Sequence, residues 1–344
     1  MRQPYYIAMD THCETTDTCA MTFSERIILR ERCPTTIPTL RDVLEKIPGP
    51  RILTFEEGPL ADWLSRQLTP FVDRLIVCEP RRNALISKDG DKDDAIDAEK
   101  LARLLRSGML KEVHQTHTLE RSILKQHVSF YHDRVRERVR QGLQLVSLLR
   151  RHGVFVSVSE LLDADERRAV WKRLPQKKLL LQNLDLVWGV YELMLVQEAE
   201  LKAQLPRLGR REEIVRRFQE LPGFGWIRAL TAYVYLDTPL RFRSKQALWK
   251  YSGIGLERHT SGKGRPRVYL VKKCYHRALK NVFMGAAKSA IGSGDNPFAE
   301  KYDRWTQEAG LHPATARRNV ARCLATTLWS LWKDNSRYDP AHVR

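Results

Sequence analysis

Residues 5–30 read YYIAMDTHCETTDTCAMTFSERIILR and contain three short runs of apolar, aromatic and β-branched residues. Two more such runs follow within the first 114 residues, and Pro and Gly positions separate several of the runs. The five runs are Tyr5–Met9, Thr18–Phe23, Ile27–Arg30, Arg51–Phe55 and Leu75–Cys78. A helical stretch then extends from about Asp94 to Ser107 and ends at Gly108. Three consecutive strands, and then strands that alternate with helices, predict a mixed α/β sheet with helices packed on it.

The rest of the chain has a different pattern. Residues 115–217 contain little Gly or Pro, and segments such as Leu119–Arg151 and Leu179–Leu205 carry apolar residues at helical spacing among many charges. This pattern predicts long helices in an antiparallel coiled-coil arm, which would be a spacer or an oligomer contact. Residues 218–344 are again predicted to be mainly α-helical. We therefore expect three domains, residues 1–114, 115–217 and 218–344.

The chain carries a strong positive charge. Its 344 residues include 59 Lys and Arg against 41 Asp and Glu, which gives a formal net charge of +18. This excess favours a nucleic-acid partner over the alternative of a merely soluble basic protein, because each neutralised phosphate releases counterions. No apolar run approaches the roughly 18 residues of a membrane helix, so no membrane association is expected. Six scattered cysteines without a CxxC pair predict a cytoplasmic protein with neither a zinc site nor a disulfide framework.

Four acids in the first predicted domain, residues 1–114, are candidate metal ligands. Asp10 ends one apolar run, and Glu56 or its neighbour Glu57 ends another. A carboxylate at the end of a buried strand is costly unless a cation neutralises it. Asp94 and Asp97 are three residues apart at the start of the predicted helix, so both project from one face. Four such acids can hold two Mg²⁺ ions, as in phosphoryl transfer, although acids at a helix N-terminus are also common partners of the helix dipole.

Two motifs in the third predicted domain, residues 218–344, indicate contact with DNA. The turn LPGFG at residues 221–225 fits a helix-hairpin-helix, in which Gly223 and Gly225 let the backbone approach phosphate; a tight turn within a core is the alternative. Ser261 lies in a glycine-rich segment, and residues 258–288 contain nine Lys or Arg and no acid. This setting can hold a phosphate for attack by the hydroxyl, or it can bind the DNA backbone without chemistry. The candidate nucleic-acid contacts are Gly223, Gly225, Arg258, Lys263, Arg265, Arg267, Lys272 and Lys273.

Taken together, these motifs resemble a family of bacterial insertion-sequence transposases. The order of Asp10, Glu56 and the run KDDAIDA at residues 92–98 resembles the DEDD domain of that family. The LPGFG turn, Tyr251-Ser252-Gly253 and Ser261-Gly262 resemble its C-terminal domain, which carries a catalytic serine. The chain departs from the usual Glu-Ala-Thr-Gly sequence, since it reads EEGP at residues 56–59.

The resemblance implies a RuvC-like domain with a ribonuclease-H fold, a metal-binding tetrad and Ser261 as the nucleophile. The tetrad would be Asp10, Glu56, Asp94 and Asp97, with Mg²⁺ as cofactor, two ions in number, for which Mn²⁺ can substitute. A composite site in a homo-oligomer, a dimer or tetramer, is also implied. So is a structured guide RNA, encoded beside the gene, that pairs with donor and target DNA. The protein would then act at the nucleoid in the bacterial cytoplasm.

Two other hypotheses remain at this stage. One is a metal-dependent RuvC-like nuclease or Holliday-junction resolvase that uses water as nucleophile and in which Ser261 is structural. The other is a nucleic-acid-binding protein without catalysis. Dependence on Mg²⁺ and formation of a covalent protein–DNA adduct distinguish the three.

Overall fold

The computed structural model describes residues 3–80, 94–116, 118–259, 267–270 and 274–342. The chain divides into two compact units, Met1–Ile123 and Leu124–Arg344, which we call the first and the second unit. The expected division into three domains stays a prediction.

The first unit is built on a mixed five-stranded sheet, as the sequence predicted. Its strands are β1 (Tyr5–Thr11), β2 (Thr15–Met21), β3 (Ile27–Pro34), β4 (Arg51–Glu56) and β5 (Arg74–Cys78). They lie in the order β3-β2-β1-β4-β5. The first three form an antiparallel meander, and β4 pairs in parallel with β1 and β5. β1 and β4 extend beyond the predicted runs, so Asp10 and Glu56 belong to the strands themselves.

Three helices cover the two faces of this sheet: α1 (Ile37–Glu45), α2 (Ala61–Leu68) and α3 (Asp94–Arg106). α1 and α2 share a core with Ile7 and Phe55 on one face. α3 packs against Ala8 on the other face. Since side chains alternate along a strand, Asp10 is on the same face as Ala8 and therefore on the α3 face. Gly108, with a φ of +68°, follows the end of α3 as predicted.

Long helices occupy residues 119–211: α4 (Leu119–Arg150), α5 (Ala164–Arg173) and α6 (Lys178–Arg211). α4 and α6 run antiparallel. Arg138 Nε donates to Glu198 Oε2 at 2.6 Å, and one turn further along α4 Gly142 lies against the ring of Tyr191. Their shared core, which α5 joins, includes Leu145 and Leu184. The sequence pattern thus correctly predicted a pair of long helices in this zone.

α6 carries several exposed apolar side chains. By length and composition it qualifies as a candidate membrane-crossing helix, with a mean hydropathy of 1.4 over an 18-residue window that is 22% buried. No membrane-spanning segment was expected from the sequence, since no apolar run approaches roughly 18 residues. Leu179, Leu186 and Leu193 are seven residues apart and exposed. Trp188 and Tyr191 of the same helix are buried in the core shared with α4, so one face of α6 packs within the protein.

The rest of the second unit is mostly helical, as predicted. It contains α7 (Glu213–Gln219), α8 (Trp226–Leu236), α9 (Lys245–Tyr251), α10 (Arg277–Ser293), α11 (Pro297–Asp303) and α12 (Pro313–Lys333). It also contains two antiparallel strands, β6 (Leu256–His259) and β7 (Arg267–Leu270). α8 is central, because every residue from Ala229 to Leu236 is buried. Phe218, Phe283 and Leu324 belong to the same core.

Candidate functional site

Asp10 and Glu56 lie side by side at the carboxyl ends of neighbouring parallel strands. Met9 of β1 pairs with Phe55 of β4, so Asp10 and Glu56 are the next residues along the two strands. Met9 and Phe55 both point into the core under α1 and α2, and the residue after each therefore faces α3. Neighbouring strands are about 4.8 Å apart. The sheet thus brings both acids to one edge and one face.

Asp94 and Asp97 belong to the first turn of α3. Each lies four residues before a buried residue that packs on the sheet, Ala98 and Leu101 respectively. Residues four apart share one side of a helix. Both acids therefore lie on the side of α3 that faces the sheet, toward Asp10.

The structure brings Asp10 and Asp94 together with His12. The His12 Nε2 atom lies 3.5 Å from Asp10 Oδ2 and 3.6 Å from Asp94 Oδ1. The ligand atoms of these three residues all lie within 4.8 Å of one another. Among the described residues, Glu56 and Asp97 are not members of this group. Carboxylate and imidazole groups are common ligands of divalent cations, so the group could hold one such ion.

The electrostatics of Asp10 reflect this crowding. Burial raises the pKa of the Asp10 carboxyl; His12 opposes the shift, and the carboxylates of Asp94 and Asp97 add to it. Asp97 is therefore close enough to act on Asp10 electrostatically. A raised carboxyl pKa marks a place where negative charge is costly, and a bound cation would remove that cost.

A buried carboxylate, Asp17, lies beside the partly buried Asp10, to which it is paired across β1 and β2. Asp17 is 5% exposed, and its Oδ2 accepts no hydrogen bond among the described residues. Arg32 reaches from Asp17 to Asp94: its Nε is 3.6 Å from Asp17 Oδ2, and its Nη2 is 3.6 Å from Asp94 Oδ2. Both distances exceed those of good hydrogen bonds, so Arg32 compensates the buried charge only in part.

Of the two adjacent glutamates, Glu56 has the position suited to the acidic group. It is partly buried and faces α3, whereas Glu57 is exposed beyond the end of β4. The Glu57 N–H donates to Cys78 O at 2.9 Å. Strand alternation after Phe55 therefore favours Glu56, as the sequence register did.

The LPGFG turn connects α7 to α8 in the second unit. Gly223 has a φ of +81°, and a Cβ at this position would overlap the carbonyl group of Ala286 in α10. Helix packing therefore requires this glycine. Gly225 has open space where a Cβ would lie, and it precedes α8, whose N-terminus no side chain caps. Uncapped amide groups at a helix start can bind phosphate, so Gly225 remains the better candidate for DNA contact.

Arg228 lies beside this turn. Its Nη1 donates to Gly223 O at 2.7 Å and to Ser289 Oγ at 2.9 Å. Burial lowers the pKa of the Arg228 guanidinium, and none of the described acidic side chains pairs with it. A guanidinium without an acidic partner, next to a helix start, can bind a phosphate with its remaining N–H groups.

Two further predicted nucleic-acid contacts, Arg258 and Arg267, belong to β6 and β7. Near the start of β6, Arg322 of α12 donates from Nε to Ile254 O at 2.7 Å and lies over the ring of Trp249. This contact ties the strand pair to the helical core. Five predicted site residues fall outside the described residues: Ser261, Lys263, Arg265, Lys272 and Lys273.

Residues 215–303 match the family model described as the transposase IS116/IS110/IS902 family. The match supports an insertion-sequence transposase. The matched range extends from α7 through the LPGFG turn and the two strands to α11. A transposase is a DNA-recombining enzyme, so the match also implies DNA as a partner. No curated protein matches the chain.

Two of the acids predicted from the sequence, Asp10 and Asp94, lie together in the structure, whereas His12, Asp17 and Arg32 were not predicted. His12 is the first residue after β1, and continuing the strand alternation two residues beyond Asp10 would have placed it on the same side. Asp17 pairs in register with Asp10 on β1 and with Arg32 on β3. Such a register between strands has no local sequence signal.

Proposed function

We propose that the protein is an insertion-sequence transposase that cuts and rejoins DNA by transesterification, with Ser261 as nucleophile and the acids of the first unit as its metal site. One observation carries the proposal: Asp10, His12 and Asp94 converge in a chain whose residues 215–303 match a transposase family. A RuvC-like fold of the ribonuclease-H type is part of the proposal. The strand order β3-β2-β1-β4-β5, with acids at the ends of β1 and β4, supports it.

The metal ligands of the proposal are Asp10, Glu56, Asp94 and Asp97. The residues fit a cation: the ligand atoms of Asp10 and Asp94 lie together with that of His12, and a buried oxygen of neighbouring Asp17 lacks a hydrogen bond. Mg²⁺, or Mn²⁺ in its place, would supply Lewis acidity to the scissile phosphate and its leaving oxygen. The role of the carboxylates is to fix that charge at one edge of the sheet.

Ser261 is the nucleophile of the proposed reaction. Its Oγ loses a proton and attacks the phosphorus, the bond from phosphorus to the 3′ oxygen breaks, and that oxygen takes up a proton. The product is a phosphoserine link to DNA and a free 3′ hydroxyl. A 3′ hydroxyl of the exchanged strand then attacks the phosphoserine, and Ser261 recovers its proton. Each step replaces one phosphoester by another, so rejoining needs no external energy source.

The basic residues around Ser261 would hold the phosphate in line for attack. They are Arg258, Lys263, Arg265, Arg267, Lys272 and Lys273. A guide RNA would select the DNA, and the net charge of +18 supports nucleic-acid partners in general. We further propose a dimer or tetramer, acting on DNA in the bacterial cytoplasm. The exposed Leu179, Leu186 and Leu193 on α6, at heptad spacing, support association of that helix with another.

The test is to trap the covalent intermediate on labelled DNA that carries the element ends, with Mg²⁺ present, and to resolve the protein under denaturing conditions. The wild-type protein and a Ser159→Ala control, changed at an exposed serine, should form the adduct. Ser261→Ala and Asp10→Asn should not. An adduct with Ser261→Ala refutes the nucleophile assignment. Hydrolysed ends without any adduct favour the nuclease or junction-resolvase alternative, in which water attacks.

A further inference from the structure

The candidate metal site contains a group that the four-acid set does not include, the imidazole of His12. We propose that His12 Nε2 is a ligand of the cation held between Asp10 and Asp94, and that this nitrogen makes the site prefer Mn²⁺ to Mg²⁺. The inference rests on the metal site of the proposed function and adds to it a ligand and a choice of ion.

The first support is the position of Nε2 between two carboxylates. It lies 3.5 Å from Asp10 Oδ2 and 3.6 Å from Asp94 Oδ1. Charge-assisted hydrogen bonds are shorter, about 2.7–2.9 Å, so at these separations His12 makes at most a weak hydrogen bond to Asp10. Two ligands that are each about 2.1 Å from one ion lie at most about 4.2 Å apart. Both separations satisfy that limit, and all three ligand atoms lie within 4.8 Å of one another, so small side-chain movements would let one ion contact all three residues.

The second support is the fixed backbone at His12. The His12 N–H donates to Thr15 O at 2.9 Å, and Thr35 Oγ1 donates to His12 O at 2.7 Å. The Thr35 N–H donates to Glu14 O at 2.9 Å, which ties the β1–β2 turn to the end of β3. A ligand on such a fixed turn needs little reorganisation when a metal binds.

The third support comes from Asp17, independently of the distances around His12. Asp17 lies opposite Asp10 in the sheet, is 5% exposed and has a buried oxygen without a hydrogen bond. A buried carboxylate with only a partial ion pair to Arg32 leaves negative charge at this edge of the sheet. A divalent cation beside Asp10 would balance that charge.

The nitrogen ligand determines the choice of ion. Mg²⁺ requires a near-ideal octahedron of oxygen ligands and keeps several waters. Both ions accept carboxylate oxygen, but Mn²⁺ belongs to the first transition series, whose ions accept an imidazole nitrogen more readily than Mg²⁺ does. Because Asp10 and Asp94 offer only oxygen, His12 is the residue that would distinguish Mn²⁺ from Mg²⁺ at this position.

Electron spin-echo spectroscopy of Mn²⁺ bound to the full-length protein tests the ligand directly. A coordinated imidazole gives a ¹⁴N modulation, which we expect in the wild-type protein and in a control with the exposed His152 changed, His152→Gln. His12→Gln should abolish the modulation while Mn²⁺ still binds. Mn²⁺ that binds the wild-type protein through Asp10 without ¹⁴N coupling overturns the inference and leaves the proposed function standing.

Equilibrium titration with each ion tests the preference. His12→Gln should weaken binding of Mn²⁺ by about 10-fold or more and binding of Mg²⁺ by clearly less. Equal losses for the two ions would overturn the preference. Asp10→Asn serves as the reference: if neither ion binds in a way that depends on Asp10, the metal site of the proposed function fails, whatever His12 does.

Discussion

Both units contain ion pairs, but they differ in the sign of the charge that lacks a close partner at their candidate sites. In the first unit, cations mostly face acids: Arg103 and Arg106 both pair with Glu25. In the second unit, the half-buried Arg228 and Arg322 donate to backbone carbonyl groups, and none of the described acids pairs with either. Burial lowers the pKa of both guanidinium groups.

This difference indicates what each unit can bind. In the first unit the unbalanced charge is negative and is concentrated at Asp10, Asp17 and Asp94, which suits a metal ion. In the second unit the unbalanced charge is positive and lies on guanidinium groups held in place by the backbone, which suits a phosphate. A reaction at a phosphodiester needs both kinds of site, so the comparison agrees with the proposed function.

The largest expected effect concerns the end of β4. Replacing Glu56 by Gln removes a carboxylate from the face that α3 covers. Adduct formation on DNA should then fall by about 100-fold or more, the magnitude typical for loss of a preorganised charge-stabilising group. Glu57→Gln is the matched control, since Glu57 is exposed beyond the strand, and it should change adduct formation by less than about 2-fold. The rate of adduct formation on labelled DNA is the measurement. A larger loss with Glu57→Gln would contradict the register that places Glu56 beside Asp10.

A second effect, on stability, concerns His276 in the second unit. Its Nδ1 accepts a hydrogen bond from the Leu279 N–H at 3.3 Å, and its ring packs on Tyr235. Burial lowers the pKa of His276 to about 4, and the nearby cations Arg241 and Lys125 add to the shift. The unfolded chain binds this proton below about pH 6.5. The free energy of unfolding should therefore be undiminished above pH 6.5 and fall as the pH drops toward 4, by at most about 3 kcal/mol.

His276→Asn separates this titration from the structural role. Asn is a good N-cap and does not titrate, so the variant keeps the start of α10 but should lose the His276 part of the pH dependence. Urea unfolding at pH 7 and at pH 4.5, followed by tryptophan fluorescence, measures the difference. His152→Asn, at an exposed histidine, should keep the wild-type dependence. If His276→Asn keeps it as well, burial and the nearby cations do not hold this histidine neutral in the folded protein.

Local patterns in the sequence predicted much of the fold but less of the candidate site. Apolar runs predicted all five strands of the sheet. The three-residue spacing of Asp94 and Asp97 predicted that both lie on one face of a helix. β2 begins three residues earlier than its apolar run, because Thr15, Thr16 and Asp17 are polar although Thr16 and Asp17 are buried. Their burial follows from their partners on the two neighbouring strands, which hydrophobic periodicity and composition do not encode.

The roles of the two glycines in the LPGFG turn also depend on contacts that the sequence does not show. The sequence offered two reasons for Gly223 and Gly225, approach to phosphate and tight packing, and did not separate them. The position of α10 separates them, because a Cβ at Gly223 would meet its backbone and one at Gly225 would not. Contacts between distant helices therefore decide the role of each glycine.

The smallest expected effect concerns Arg228 and tests the comparison most directly. If its guanidinium binds a DNA phosphate, Arg228→Gln should weaken DNA binding by several-fold for any sequence. It should also reduce the slope of log affinity against log salt by about 1. Arg228→Lys should keep that slope, since it keeps the charge. Arg168→Gln is the control, because Arg168 is exposed and already paired with Asp165. Titrations of DNA at several salt concentrations give both quantities. An unchanged slope with Arg228→Gln would mean that this arginine only holds the turn through Gly223 O and Ser289, and that its lack of an acidic partner has no bearing on DNA.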